Sequence, residues 1–563
     1  MQISSKILVL LVFIFSTFNI FSASRDPVKS KNGMVVSASE IASKVGIEIL
    51  KNGGNAIDAA VAVGFALAVV HPPAGNVGGG GFMVIHLNDG FNTTIDFRET
   101  APSMAHKDMY LDNNGEVRDS TSSTGWTSSG VPGSVEGYLY ALEKYGTMEL
   151  SQVMKPAIEF ASNGFVIGLK LAETINNRNE IFNKHKSSKE LFTVKGDTLP
   201  EDHLLIQKDL ANTLKLIRDE GRDGFYKGET AELIVEQSSR NGGIISLEDL
   251  ANYSVVERES IKGKYKGFDI ITMGPPSAGG INLIQILKIL ERFTITPDMW
   301  GSSKYIHLLT EIFKFVFADR AYHFGDSEYY SVPQDWLLSD EYTERIYSKI
   351  NNTAIPSSEI NHSIPQKIES RETTHFSVID KDGNAVGTTI TLNSSFGNRI
   401  IVDGAGFFMN NEMDDFSIKP GSPNLYGLVG SEANSIEGGK RMLSSMTPTI
   451  LLEDGKPFMI LGARGGSMIM TSVLQVVVNV IDFKMNIREA IDAPRIHHQW
   501  LPDELVHEKY GMTTDVKNNL IQRGHEFGEE DSIARVQGIL IDNLNGIIWG
   551  ASDSRSFGKA VGY

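Results

Sequence analysis

At 563 residues, 41% of them hydrophobic and 21% charged, the chain can bury a large core without covalent staples. It has no cysteine, which excludes disulfides, thiolate metal ligands and a cysteine nucleophile. Its formal charge of -17 argues against a nucleic-acid partner, which requires a basic face.

The N-terminus reads as a targeting segment. Lys6 precedes an apolar run over residues 7–15, a weaker apolar stretch to Phe21, and the small residues Ser22, Ala23 and Ser24. Positive, apolar, small is the order of a secretory signal, so residues 1–24 are expected to direct export to a periplasm or the medium. The rival reading is a retained anchor. Ser16, Thr17 and Asn19 oppose it, because they shorten the apolar core below the roughly 20 residues that a span needs. No stable membrane insertion is expected.

Residues 56–70 are apolar on nearly every side, which predicts a buried helix. The glycine quartet 78–81 follows, then a hairpin over 82–97 with its turn at Asp89-Gly90. A dinucleotide loop needs strand before helix, so these glycines predict close backbone packing rather than a phosphate cradle. Residues 150–250 read as helical, polar-faced and peripheral, and 281–293 and 306–317 as two further helices. A polar, proline-punctuated connector over 350–371 leads into a hairpin at 376–392 about Asp382-Gly383. Further hairpins are predicted at 449–461 about Asp454-Gly455 and at 534–551 about Asn545-Gly546, with a helix over 467–483 between them. Most of these strands are apolar on both faces. The predicted fold class is therefore α+β, with antiparallel sheets covered by helical layers.

Thr373 stands where the connector meets a strand. If the bond between Glu372 and Thr373 is cut, the Thr373 hydroxyl lies beside its own α-amine, whose pKa of about 8 suits a general base. The plain alternative is an ordinary strand threonine. Arg98, at the end of the first hairpin, has the geometry to clamp a carboxylate, or simply to pair with Glu99 or Asp96. Asn393, Asn411, Glu412 and Asp415 offer acceptors to an ammonium group, or serve local turns. Set against Arg98, they would make a site for a zwitterion such as the α-carbon end of an amino acid. Gly465 and Gly466, between a strand and a helix, form either a tight turn or an oxyanion hole of unpaired N–H groups. Ser444 and Ser445 offer donors or a cap, and Thr391 can hold the amine or hydroxyl of Thr373. His497-His498 lacks metal-ligand spacing and no G-x-S-x-G elbow is present, so neither a metal nor a conventional serine hydrolase is expected.

These clusters, in this order, resemble the γ-glutamyltransferase (γ-glutamyltranspeptidase, glutathione hydrolase) family. The similarity runs through residues 53–60, 78–83, 96–102, 130–134, 373–377, 410–416, 443–449 and 492–495. The resemblance implies an N-terminal nucleophile hydrolase with a four-layer αββα core. It also implies a precursor that cuts itself before Thr373 into a large subunit (25–372) and a small subunit (373–563), which stay associated as one αββα unit. In this reading Arg98 and Ser444 hold the donor's α-carboxylate, and Asn393, Glu412, Asp415 and Ser445 hold its α-amine. Gly465 and Gly466 donate to the oxyanion, and Thr391 hydrogen-bonds the nucleophile. Tyr426, within 420–427, corresponds to the shielding aromatic of the family's lid loop. Arg464 stands where many relatives carry a smaller residue, and Glu412 where many bacterial relatives carry glutamine. The implied donors are glutathione and related γ-glutamyl compounds, the acceptors water, amino acids or peptides, and no cofactor is implied. Two alternatives stay open: a cephalosporin or glutaryl acylase on the same scaffold, and a catalytically silent zwitterion-binding relative.

Overall fold

The computed structural model describes residues 24–118, 120–360, 373–422, 424 and 428–563. Residues 1–23 of the expected signal, Glu372 at the expected cleavage bond, and Tyr426 lie outside the described residues.

Two seven-stranded sheets form the centre, and every pairing in them is antiparallel. In chain order their strands are β1 (Val28–Ser30), β2 (Met34–Ser37), β3 (Gly80–His86), β4 (Asn92–Phe97), β5 (Val256–Arg258), β6 (Ile261–Tyr265) and β7 (Phe268–Thr272). The remainder are β8 (Thr374–Ile379), β9 (Ala385–Thr391), β10 (Thr449–Glu453), β11 (Lys456–Arg464), β12 (Arg535–Asp542), β13 (Ile547–Ser552) and β14 (Lys559–Gly562). One sheet runs β14-β2-β8-β9-β3-β4-β5 and the other β1-β13-β12-β11-β10-β7-β6. The four hairpins expected from Asp-Gly and Asn-Gly turns are all present, as β3–β4, β8–β9, β10–β11 and β12–β13.

Helices cover both outer faces. The helix α2 (Ala56–Val70), which follows α1 (Glu40–Lys51), is buried along its whole length. It shares a core with Phe376, Val378, Val386 and Ile390 of β8 and β9. Asn55 starts α2 by accepting from Ile57 and Asp58 N–H, and the Asp58 carboxylate answers by accepting from Asn55 N–H. Such a cap contributes about 1 kcal/mol. Asp380, in the β8–β9 turn, accepts from Ala56 N–H at 2.9 Å and so ties that hairpin to the same helix end.

On the far side, α3 (Gly279–Leu290), α4 (Ser303–His323) and α5 (Met468–Ile481) share a second core with Ile270, Ile450, Ile460 and Ile539. The sheets face each other through His375 and Ser377. A Cβ on Gly462 would lie 2.4 Å from the His375 ring, and Ser377 Oγ donates to Ile460 O at 3.3 Å. The α+β class expected from the sequence pattern and the four-layer αββα arrangement implied by the family resemblance are the ones observed.

Candidate active site

The β8–β9 register pairs Thr374 with Ile390, which sets Thr373 and Thr391 opposite one another at the open end of the hairpin. Both are buried. They line one small cavity together with Arg98, Asn393, Asp415, Ser444, Ser445 and Gly466. Neighbouring backbone fixes this corner. Thr391 O accepts from Asn76 Nδ2 at 2.9 Å, and Thr391 Oγ1 accepts from Asn393 N–H at 2.7 Å. Asn393 takes a left-handed φ of 70° and spends Nδ2–H on Asn411 O at 2.9 Å. His375 is no base here: burial pushes its pKa down to about 3, and its ring nitrogens meet the hydroxyls of Thr389 and Ser377.

The glycine quartet packs as expected. A Cβ on Gly79 would lie 2.1 Å from Thr391 O, and one on Gly81 2.3 Å from Thr389 O. These glycines let β3 approach β9 beside the nucleophile corner.

Arg98 leaves the end of β4 with its N–H on Asp96 Oδ1 and its carbonyl accepting from Tyr253 O–H. Its guanidinium turns neither to Asp96 nor chiefly to Glu99, which is 3.8 Å away. Instead Nη1 donates to Glu412 Oε1 at 2.8 Å and Nη2 donates to Asp415 Oδ2, with Met442 O and Leu443 O accepting at 3.4 and 3.3 Å. Burial opposes the charge on Arg98, but Glu412, Asp415 and Glu99 outweigh it and hold the pKa above the ordinary arginine value. Burial raises the carboxyl pKa of Glu412 and Asp415 against the pull of Arg98. It pushes Glu99 up to about 8.

The acceptors therefore divide. Asp415 lines the cavity, whereas Glu412 is fully buried and braces Arg98 from outside it. Asn411 ties its loop to two other segments, donating through Nδ2 to Ser123 O and Ser394 Oγ at 2.9 Å each. In this state the Arg98 and Asp415 charges compensate each other. A zwitterion can replace that pair by offering a carboxylate to one and an ammonium to the other.

The glycine pair is both a turn and a source of donors. Gly465 has φ 140° and Gly466 φ 56°, conformations that side chains rarely adopt. Gly465 O and Gly466 O accept from Met468 and Ile469 N–H and start α5, while Ser467 Oγ donates to Gln499 Oε1 instead of capping the helix. Among the described residues the N–H of Gly466 donates to no protein acceptor, and Gly466 rather than Gly465 lines the cavity. Arg464 faces elsewhere. It lines a separate cavity of about 530 Å³ with Thr374, His375 and Arg535.

Two side chains in this region matter beyond what the sequence assigned: Glu99, expected only as a partner for Arg98, and Arg320, not singled out at all. Glu99 is fully buried beneath Arg98, and neither carboxyl oxygen has a hydrogen-bond partner among the described residues. Arg320, near the end of α4, lines the same cavity as Thr373 and donates Nε–H to Ser445 Oγ at 3.1 Å. Nothing in the sequence set it apart, because the same helix also carries Lys304, Glu311, Lys314 and Asp319. Among the described residues one group of metal-binding types is close together: the ligand atoms of His307, Glu311 and His525 lie within 4.8 Å of one another. Lys314 Nζ, 3.0 Å from Glu311, already supplies a positive charge there, and none of the three lines the Thr373 cavity. His497 and His498 bond to Thr471, Gln499 and Asp503.

The same geometry can be set beside known proteins. The glutathione hydrolase proenzyme of Escherichia coli (strain K12) is 47% identical over 532 residues, 94% of this chain and 91% of that protein. A crystal structure of Helicobacter pylori γ-glutamyltranspeptidase is 46% identical with a TM-score of 0.57, covering 61% of this chain and 96% of its own. A crystal structure of cephalosporin acylase from Bacillus halodurans superposes over 97% of this chain and 98% of its own with a TM-score of 0.84, at 26% identity. The family model for gamma-glutamyltranspeptidase matches residues 42–563, and with a relative at 47% identity along nearly its whole length the chain belongs to the γ-glutamyltranspeptidase family.

Proposed function

We propose that the chain is a self-processing γ-glutamyl hydrolase and transferase that acts on glutathione and related γ-glutamyl amides. One observation carries the reading: Thr373 shares a small cavity with two guanidiniums, a carboxylate, three serines and Gly466, whose N–H meets no protein acceptor among the described residues. Maturation begins when the Thr373 hydroxyl attacks the Glu372 carbonyl, and the acyl group moves from nitrogen to oxygen. Water then cleaves that ester, which frees the Glu372 carboxylate and the Thr373 α-amine. In turnover the hydroxyl attacks the γ-amide carbon while the α-amine takes its proton and passes it to the leaving amine. The Gly466 N–H, with Gly465 beside it, holds the oxyanion. Thr391 orients the nucleophile, Arg98 and Ser444 take the donor's α-carboxylate, and Asp415 with Asn393 takes the ammonium. Water or an amino-acid or peptide amine then resolves the γ-glutamyl ester.

Export belongs to the same proposal and rests on residues 1–24. Among the described residues no helix is long and apolar enough to cross a membrane.

The test is a denaturing gel with intact mass, paired with hydrolysis of a γ-glutamyl anilide. Wild type is expected to give two fragments, the smaller beginning at Thr373, and Thr373→Ala a single inert chain. An active wild type that stays whole removes the processing step. The acylase superposition favours a second reading, in which glutaryl amides are the donors. A glutaryl group has no ammonium to offer Asp415, so γ-glutamyl turnover should exceed glutaryl turnover. The reverse order would select the acylase.

A further inference from the structure

The cavity holds two guanidiniums in different states. Arg98 is saturated by two carboxylates and two carbonyls. Arg320 is about as enclosed, at 5% exposure, yet among the described residues it makes one hydrogen bond, from Nε–H to Ser445 Oγ, and no ion pair. Its terminal nitrogens therefore have no acceptor there, although the side chain lines the cavity. The nearby Asp415 carboxylate attracts it but is hydrogen-bonded to Arg98, and an enclosed cation whose terminal nitrogens have no acceptor is unfavourable unless something supplies the anion.

From this geometry we infer that Arg320 is a specificity-determining residue that reads the α-carboxylate of the donor beside Arg98 and turns Ser445 to the same end. This rests on the γ-glutamyl reading and refines it. The Ser445 oxygen accepts from Arg320, so its own proton is free to be donated into the cavity. A hydroxyl set in that way suits a carboxylate oxygen rather than an ammonium. Ser445 thus moves from the amine end, where the family resemblance placed it, to the carboxylate end. When Arg98 and Arg320 engage the incoming carboxylate, Asp415 is released from Arg98 and becomes the counter-charge for the ammonium.

The test measures inhibition of γ-glutamyl-anilide hydrolysis by L-glutamate and by its α-amide, which lacks only the α-carboxylate. In matured Arg320→Gln, Ki for L-glutamate should rise about tenfold or more, the loss of a charge-assisted hydrogen bond, while Ki for the amide moves less than about threefold. Arg320→Lys should restore part of the discrimination. Ser445→Ala should lower the same ratio and add little to Arg320→Gln, because the two residues act as one unit. An unchanged ratio, or equal weakening of both ligands, overturns the assignment. If Arg320→Gln fails to mature, the ratio in Arg320→Lys decides. If neither matures, Arg320 is a folding residue and the inference is wrong. A wild type that matures without γ-glutamyl turnover overturns the parent reading first, and this inference with it.

Discussion

Arg98 and Asp415 hold each other in the cavity, so a donor exchanges one internal ion pair for two pairs of its own. The exchange is nearly balanced in charge. Removing one partner is not: Arg98→Ala would strand Glu412 and Asp415 without their main counter-charge, a loss of about 3–5 kcal/mol for a buried pair. Glu99 offers a cleaner probe. Its carboxyl is enclosed with no hydrogen-bond partner from another residue among the described ones, and burial pushes its pKa up to about 8, so the folded protein holds it neutral well above the pH at which the unfolded chain ionises it. The contribution of a carboxyl raised in this way is fully present below its unfolded pKa and is lost as pH climbs through the folded value. Glu99→Gln cannot titrate. Its melting temperature relative to wild type is therefore expected to rise between about pH 5 and about pH 8, by a few degrees. A gap that stays constant across that range would show that Glu99 ionises in the folded protein as it does in the unfolded one.

The nucleophile corner depends on how closely β3 approaches β9. Asn76 holds the Thr391 carbonyl, and Gly79 leaves room for it. A methyl at position 79, 2.1 Å from Thr391 O, has no flexible side chain to displace and must move backbone. Gly79→Ala should cost about 1–3 kcal/mol as overpacking, and more visibly it should slow maturation by separating Thr391 from Thr373. The uncut fraction on a denaturing gel over time measures this; cleavage at the wild-type rate would show that the β3–β9 spacing does not govern the corner. What the sequence revealed at this scale followed from local chemistry. Four hairpins announce themselves because Asp-Gly or Asn-Gly turns supply a residue that tolerates positive φ. The β6–β7 hairpin went unseen because its turn is Lys266-Gly267, where lysine takes φ 47° without the turn signature of Asn or Asp. The strands β1, β2 and β14 are three or four residues long, too short for a period-two pattern to register. Arg98, Asp415 and the glycine pair were legible from residue type and position. Arg320 was not, because only tertiary packing turns one arginine of a 21-residue helix toward residues that lie more than a hundred positions away in the chain.

At the scale of the whole molecule, the Glu372–Thr373 bond is a peculiar place to cut, because the strands on either side of it are shuffled together. In the sheet that carries Thr373, β14, β8 and β9 come after the bond, whereas β2, β3, β4 and β5 come before it. In the other sheet β10 to β13 come after it, and β1, β6 and β7 before it. Each core likewise draws side chains from both parts. Residues 351–357, upstream of the bond, are pinned as well: Asn351 O meets His307, Ala354 N–H and Asn352 O meet Arg523, and Ser357 meets Asp503 and Trp500. Separating the fragments would mean stripping ladders from both sheets at once. That is global unfolding rather than dissociation of docked subunits. Matured protein is therefore expected to elute as one species on size exclusion at any dilution that preserves its far-UV circular dichroism. The fragments should come apart only in denaturant, in step with the loss of that signal. Elution as separate folded fragments under native conditions would mean that the interleaved sheets are not what holds the cut chain together.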